Sequence, residues 1–386
     1  MLSLRLILSS PRYFAPALAF ASLNLWFGTW AIYIPIVKSN LGIDKASLGL
    51  ALFFLSFGVF SVFPFASAWI NRLGVGRATW IGVCACSLSA CLPLLAPSYL
   101  TLMLSLYVFG LTNGFLDISM NTLVTEIEKE DGKNFMSASH GFFSLGGILA
   151  GLGSFLIPVI NNPVLHMLGI VLVVFLINFK FRKRYLMIRA EPVSQSGFSY
   201  KLFRPLLLLG AVSFLVMGGE GAVVDWSGLY LKEVSLAPEF LWGVGFLAFS
   251  TTMTLGRFLG DGISTRLGPV RVVTLGAVIS IAGYLSILSA STILTILGFA
   301  MVGCGFSVIV PELFRIGGKV QGVASSQGVA FIAGSGYAGF LASPPILGLL
   351  AEDFGMRVVF WTLLGCAAFI LLAMLRIRSK SGESGY

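Results

Sequence analysis

Most of this chain is a succession of apolar blocks, and the few polar side chains inside them are of types that handle protons and small solutes. In the stretch from Leu111 to Gly151 an aspartate, Asp117, is flanked at helical spacing by Asn113 and Asn121. At 100° per residue the three side chains fall within about 80° of one another, and Glu128 continues the stripe. A charge inside hydrocarbon costs at least ~2.5 kcal/mol even on insertion scales, so such a group normally faces a cavity or a partner. The functional reading of Asp117 is a proton site or a substrate contact. The plain alternative is an interhelical structural hydrogen bond.

A second set lies in GGEGAVVDWSGLYLKE, where Glu220 and Asp225 stand about 140° apart on an ideal helix and form no side-by-side dyad. Glu220 shares a face with Ser213 and Ser227 and is expected in a central cavity. Asp225 is expected nearer the outer surface, as a gate, a partner for Lys232 or a proton carrier. His140 titrates near neutral pH as a type, yet its face of Ser144, Gly147, Gly151 and Pro158 is equally that of a helix-packing surface. Trp26, Trp30 and Tyr33 fall within about 60°, with Asn24 on an adjoining face. Tyr33 reads as an interfacial anchor; Trp26 and Trp30 are candidates for stacking on a substrate. Glu312 after Pro311 reads as interfacial, and Arg257 with Asp261 as a local i,i+4 ion pair. The five cysteines lie within apolar blocks and offer neither disulfide nor metal chemistry.

Helices must position these groups. With 386 residues, 57% apolar and 11% charged, and a mean hydropathy of +0.93, the chain departs far from the quarter-charged composition of water-soluble domains. A crossing takes ~20 apolar residues, and continuous apolar runs select helices over barrels. Twelve spans are expected, near Tyr13–Val37, Ser47–Ile70, Ala78–Ala96, Leu100–Thr125, Phe135–Ile160, Val164–Lys180, Pro205–Leu231, Phe240–Ile263, Val270–Leu288, Ile293–Arg315, Val323–Leu350 and Val358–Leu375. No cleaved signal is evident, so the first span anchors the chain. Lys and Arg divide 21 against 4 between the two faces, which places both termini in the cytoplasm. The net charge of +9 is spread over span ends rather than gathered on a soluble domain, so nucleic acid is not an expected partner.

The chain also repeats itself. Arg72-Leu73-Gly74-x-x-Arg77 recurs as Arg266-Leu267-Gly268-x-x-Arg271, and Ser139-His140-Gly141 as Ser326-Gln327-Gly328; Gly147 and Pro158 recur as Gly334 and Pro345. Gln327 is thus the second-half counterpart of His140 and joins the cavity candidates. The paired Arg-Leu-Gly loops are topology anchors or cytoplasmic gating latches, their glycines reversing the chain tightly. A basic stretch separates the copies, giving an N-terminal half (1–180), a linker (181–204) and a C-terminal half (205–386). Equal orientation of equivalent spans means a parallel repeat about an axis along the membrane normal.

These residues carry a resemblance. The chain resembles the major facilitator superfamily along its length, and more narrowly a bacterial branch of YbjJ-like and fucose-permease-like proteins. The matching segments are Gly114-x-x-Asp117-x-x-Met120-Asn121, Glu126-Ile127-Glu128, Gly132-Lys133-x-x-Met136-Ser137-x-x-His140 and Ser144-Leu145-Gly146-Gly147. Glu220-Gly221-Ala222-x-x-Asp225-Trp226-Ser227-x-x-Tyr230-Leu231 completes the set. Asn71 and Thr265 depart from the loop aspartate usual in the superfamily, Leu123 replaces a glutamine usual after Met-Asn, and span one has no carboxylate. The resemblance implies an all-α fold of two six-helix halves and secondary transport by alternating access in a bacterial inner membrane.

The combined expectation is a monomeric transporter of a small solute, proton-coupled through the buried carboxylates, with import of a sugar or small organic solute favoured over drug or metabolite efflux. No cofactor is expected. The chain has no Gly-x-x-x-x-Gly-Lys-Ser/Thr loop for ATP. Two histidines, no His-Glu-x-x-His and no nucleophile–base pair argue against a membrane-embedded enzyme acting on lipid. A sensor on a transporter scaffold would need a soluble output domain. On this topology, a cysteine placed at Ser196 of a cysteine-free variant should resist an impermeant maleimide added to intact cells and react once the membrane is opened. Ready labelling from outside would invert the topology.

Overall fold

A computed structural model describes residues 2–133, 135–189, 206–317, 320 and 325–383. Among the described residues there are twelve long helices and no strand. They are numbered here α1 (Pro11–Leu41), α2 (Lys45–Leu73), α3 (Val75–Ser89), α4 (Tyr99–Asp131), α5 (Met136–Leu152), α6 (Pro163–Phe181), α7 (Leu207–Glu233), α8 (Val244–Leu267), α9 (Pro269–Leu288), α10 (Thr292–Phe306), α11 (Ser325–Phe354) and α12 (Met356–Glu383). Ten stretches built on these helices are long and apolar enough to cross a membrane. The other two helices, α8 and α11, run to 24 and 30 residues.

Their ends follow capping chemistry. Ser98 and Thr101 form a capping box before α4, and Asn162 accepts the backbone N–H groups of Val164 and Leu165 to start α6. Two expected spans are interrupted. The fifth leaves the α-helix after Leu152 for a tighter turn, Gly153–Leu156, and a short helix, Ile157–Ile160, that carries Pro158. The tenth ends at Phe306 and resumes as Ile309–Gly317. Proline gives no N–H to the preceding turn, so Pro158 and Pro311 each sit in the first turn of a new short helix, where no N–H is needed. Pro344 and Pro345, by contrast, lie within α11.

Contacts divide the chain into two units. One comprises Met1–Ile43 and Leu50–Ser194, the other Asp44–Gly49 and Gln195–Tyr386. In the first, α1 packs mainly on α5 and α3 on α4; in the second, α7 packs mainly on α11 and α9 on α10. The same pairing at equivalent positions parallels the sequence repeat. Between helices in lipid, close backbone approach replaces the hydrophobic effect as the main source of packing energy. The functional helices are held this way. A Cβ on Gly114 of α4 would stand 2.8 Å from the Val59 carbonyl oxygen of α2, and one on Gly218 of α7 would stand 3.1 Å from that of Gly339 on α11.

The Arg-Leu-Gly loops do reverse through glycine, Gly74 at φ 83° and Gly268 at φ 79°. The first loop has an added role. The Gly76 N–H donates to the Ile188 carbonyl (3.1 Å), and the backbone of Tyr185, whose side chain is buried, lies where a Cβ on Gly76 would be. The segment after α6 is thereby docked on the start of α3. Gly76→Ala should cost about 1–3 kcal/mol, the range for overpacking, and lower the thermal midpoint in detergent. Gly365→Ala, where an added Cβ meets nothing within 4 Å, should leave it unchanged.

Candidate functional site

In the first unit the polar stripe of α4 is bound largely to its own helix. Asn113 Nδ2 donates to the Phe109 carbonyl (2.7 Å). Asn121 Nδ2 donates to both the Asp117 carbonyl (2.9 Å) and Asp117 Oδ1 (3.2 Å). Asp117 itself is half-buried. Glu128 leaves the stripe to do something different. Its Oε1 accepts the backbone N–H groups of Phe135 (2.5 Å) and Met136 (2.7 Å), placing a carboxylate at the positive N-terminal end of α5. At the α4 terminus Arg12 of α1 donates to Asp131 Oδ2 (2.7 Å) and Glu130 Oε2 (2.6 Å), so α1 and α4 are clamped end to end. Asn24 Nδ2 donates across to the Phe143 carbonyl (3.0 Å), tying α1 to α5. His140 is exposed, with its ring edge-on to Phe20 at 5.0 Å.

One aromatic expectation is corrected. Trp26 and Trp30, the stacking candidates, have no exposed surface, and their indole N–H groups have no partner among the described residues. Tyr33 is not an interfacial anchor: it is buried, and its hydroxyl lies 2.9 Å from His166 Nδ1 on α6. His166, the chain's second histidine, went unassigned in the sequence. Its place in the first turn after Pro163 was the available signal, but nothing in a one-dimensional pattern pairs it with Tyr33, 133 residues away.

The second unit holds the charged site. Glu220, in the middle of α7, brings Oε2 to 3.8 Å from Arg257 Nη2 on α8. Its other oxygen, Oε1, is buried without a hydrogen-bond partner among the described residues. Arg257 was expected to pair with Asp261; the Asp261 side chain lies outside the described residues, and the pairing found is with Glu220. Spacing arguments treat one helix at a time and so missed an ion pair between two. Tyr284 of α9 is fully buried, its hydroxyl without a partner among the described residues and 3.6 Å from where a Cβ on Gly219 would stand.

Asp225 is buried at 9% exposure rather than turned to an outer face, because its side of α7 is covered by helix packing; Lys232 instead stands over the Trp242 ring at 4.7 Å. Glu312 is likewise not interfacial. It is 2% exposed and paired with Arg315 at 3.1 Å. Arg72, Arg77 and Arg271 of the loops are exposed, while the side chains of Arg266 and Gln327 lie outside the described residues.

Membrane-length helices in two similarly paired units, with an ion pair held between two helices of the second, define a polytopic helical membrane protein. A family model for the Major Facilitator Superfamily matches residues 16–326, and the chain belongs to that family. It is 31% identical over 359 residues to an uncharacterized MFS-type transporter of Yersinia pestis, covering 92% of each chain. The fold is similar to that of the nucleoside transporter NupG (TM-score 0.72, 15% identity, 95% of this chain and 99% of that one). A bacterial homolog of the lysosomal transporter Spinster, inward-facing and unoccupied, is comparably similar (TM-score 0.71, 14% identity, 95% and 97% covered).

The Tyr33–His166 pair gives a direct check on the first unit. Tyr33→Phe leaves a buried imidazole short of its partner and should cost about 1–3 kcal/mol, read as a lower thermal midpoint. A midpoint equal to the parent's would mean the bond contributes nothing.

Proposed function

We propose that this protein is a proton-coupled secondary transporter of a small organic solute, with Glu220 as the proton carrier and Asp117 as the second candidate. The reading extends to a cytoplasmic-membrane location with both termini inside, to alternating access between the halves 1–180 and 205–386, and to the YbjJ-like branch. Import of a sugar or similar solute is favoured. The Glu220–Arg257 pair carries the proposal. A guanidinium stays charged at any working pH, whereas a carboxylate need not. Adding a proton to Glu220 therefore removes one charge of a pair held between two helices and weakens what binds α7 to α8. That links protonation to helix position, as coupling requires.

Asp117 differs in its partner, a neutral amide, and so suits either a second proton or contact with substrate. Asp225, buried on the same helix as Glu220, is a third proton candidate and His140 a fourth. The arginine loops remain proposed as cytoplasmic gates.

Glu220→Gln imitates the protonated form with little change of volume. In proteoliposomes, proton-driven accumulation should vanish in this variant while exchange of labelled for unlabelled substrate survives. Asp117→Asn should behave alike if it shares the proton, and lose exchange as well if it binds substrate. A Glu220→Gln protein that still concentrates solute against its gradient would remove Glu220 from the coupling role.

A further inference from the structure

We propose that Glu220 is a two-position switch: deprotonated it is held by Arg257, and protonated it turns to Tyr284, whose hydroxyl then donates to the carboxyl group. The inference rests on the proton-carrier reading of Glu220 and names the residue that receives the loaded form.

Two buried polar atoms of the second unit are without partners among the described residues, Glu220 Oε1 and the Tyr284 hydroxyl. Each is costly to leave so in the interior of a helical bundle. Their positions make them natural partners. The hydroxyl lies 3.6 Å from the Cβ position of Gly219, the residue next to Glu220. The absence of a side chain at Gly219 leaves the way open. A Cβ there would press on the Phe306 ring at 2.9 Å, and Phe306 packs edge-on against Tyr284 with ring centroids 6.3 Å apart.

The other side of the carboxylate is held loosely. A separation of 3.8 Å from Arg257 exceeds the 2.7–2.9 Å of a charge-assisted hydrogen bond, so the attraction there is charge on charge and falls away when the charge does. Tyr284 offers the reverse. A phenol O–H can donate to the carbonyl oxygen of a neutral acid, which retains acceptor capacity, and it keeps its own proton throughout. Among the described residues, the charged and titratable groups at this site are Arg257 on α8 and Tyr284 on α9, with Cys366 of α12 acting in turn on Tyr284. Glu312, on the short helix after α10, is engaged by Arg315.

The test needs no substrate. Infrared difference spectra of the purified protein are recorded across a pH titration, and the protonated-carboxyl band that Glu220→Gln removes is assigned to Glu220. In Tyr284→Phe that band should shift to higher frequency, as for a carbonyl that has lost a donor, and its midpoint should move to lower pH by about one unit, a tenfold loss of proton affinity. Arg257→Gln should move the midpoint the opposite way, because it removes the partner of the charged form. Thermal midpoints keep folding in view, since a merely structural Tyr284 would alter those and leave the band in place. An unchanged band and midpoint in a folded Tyr284→Phe protein overturn the switch and leave the proton-carrier reading standing. No titrating band lost in Glu220→Gln overturns both.

Discussion

A polar group in hydrocarbon has no water to fall back on, so its partner must come from the protein. Much of this structure follows from that requirement. Serine, threonine and asparagine side chains along the helices mostly turn back on the preceding turn: Thr29 on the Leu25 carbonyl, Ser119 on Phe115, Thr122 on Ile118, Thr254 on Ser250. A residue satisfied in this way places no demand on its neighbours and carries little functional information. The informative residues are those whose partner lies on another helix, as for Glu220, Tyr33 and Asn24, or is absent among the described residues, as for Glu220 Oε1 and Tyr284.

The same requirement explains how two copies of one pattern diverged. Both halves keep the glycine that reverses the Arg-Leu-Gly loop and both pair equivalent helices, because a tight turn and close backbone contact are needed wherever six helices pack without water. The copies differ where one half found another use for a position. Gly76 admits the backbone of Tyr185 in the first half, where Val270 holds the equivalent place in the second. Pro158 opens a new short helix, whereas Pro345 stays inside α11. A repeat fixes the scaffold, and departures from it show where each half was adapted.

Helix number, the all-α class and the internal repeat were legible in the sequence because they depend on length and composition summed over some twenty residues, which the order of side chains records directly. The cost of a buried charge was also legible: Asp117 and Glu220 were singled out on hydropathy alone. Pairings between helices were not. The Glu220–Arg257 pair was not foreseen and Tyr33 was matched to the membrane interface, since periodicity reports which face a residue occupies but not what lies against that face. His166 escaped because its partner is distant in sequence. Glu128 was read as part of the α4 stripe, where its role at the start of α5 depends on how the Gly132 turn brings the chain back.

Partner type also separates the two leading carboxylates. Asp117 is held by the amide of Asn121, a neutral donor on the same helix, so a proton gained there weakens one hydrogen bond and breaks no ion pair. Glu220 faces a guanidinium, and the attraction between opposite charges in a medium of low dielectric is what protonation removes. A proton can bias a conformational equilibrium only as far as its affinity differs between the two states. That difference is larger where the partner is permanently charged and belongs to a separate helix. Under the proposed coupling, the leverage therefore lies with the Glu220–Arg257 pair of the second unit rather than with the Asp117–Asn121 contact of α4.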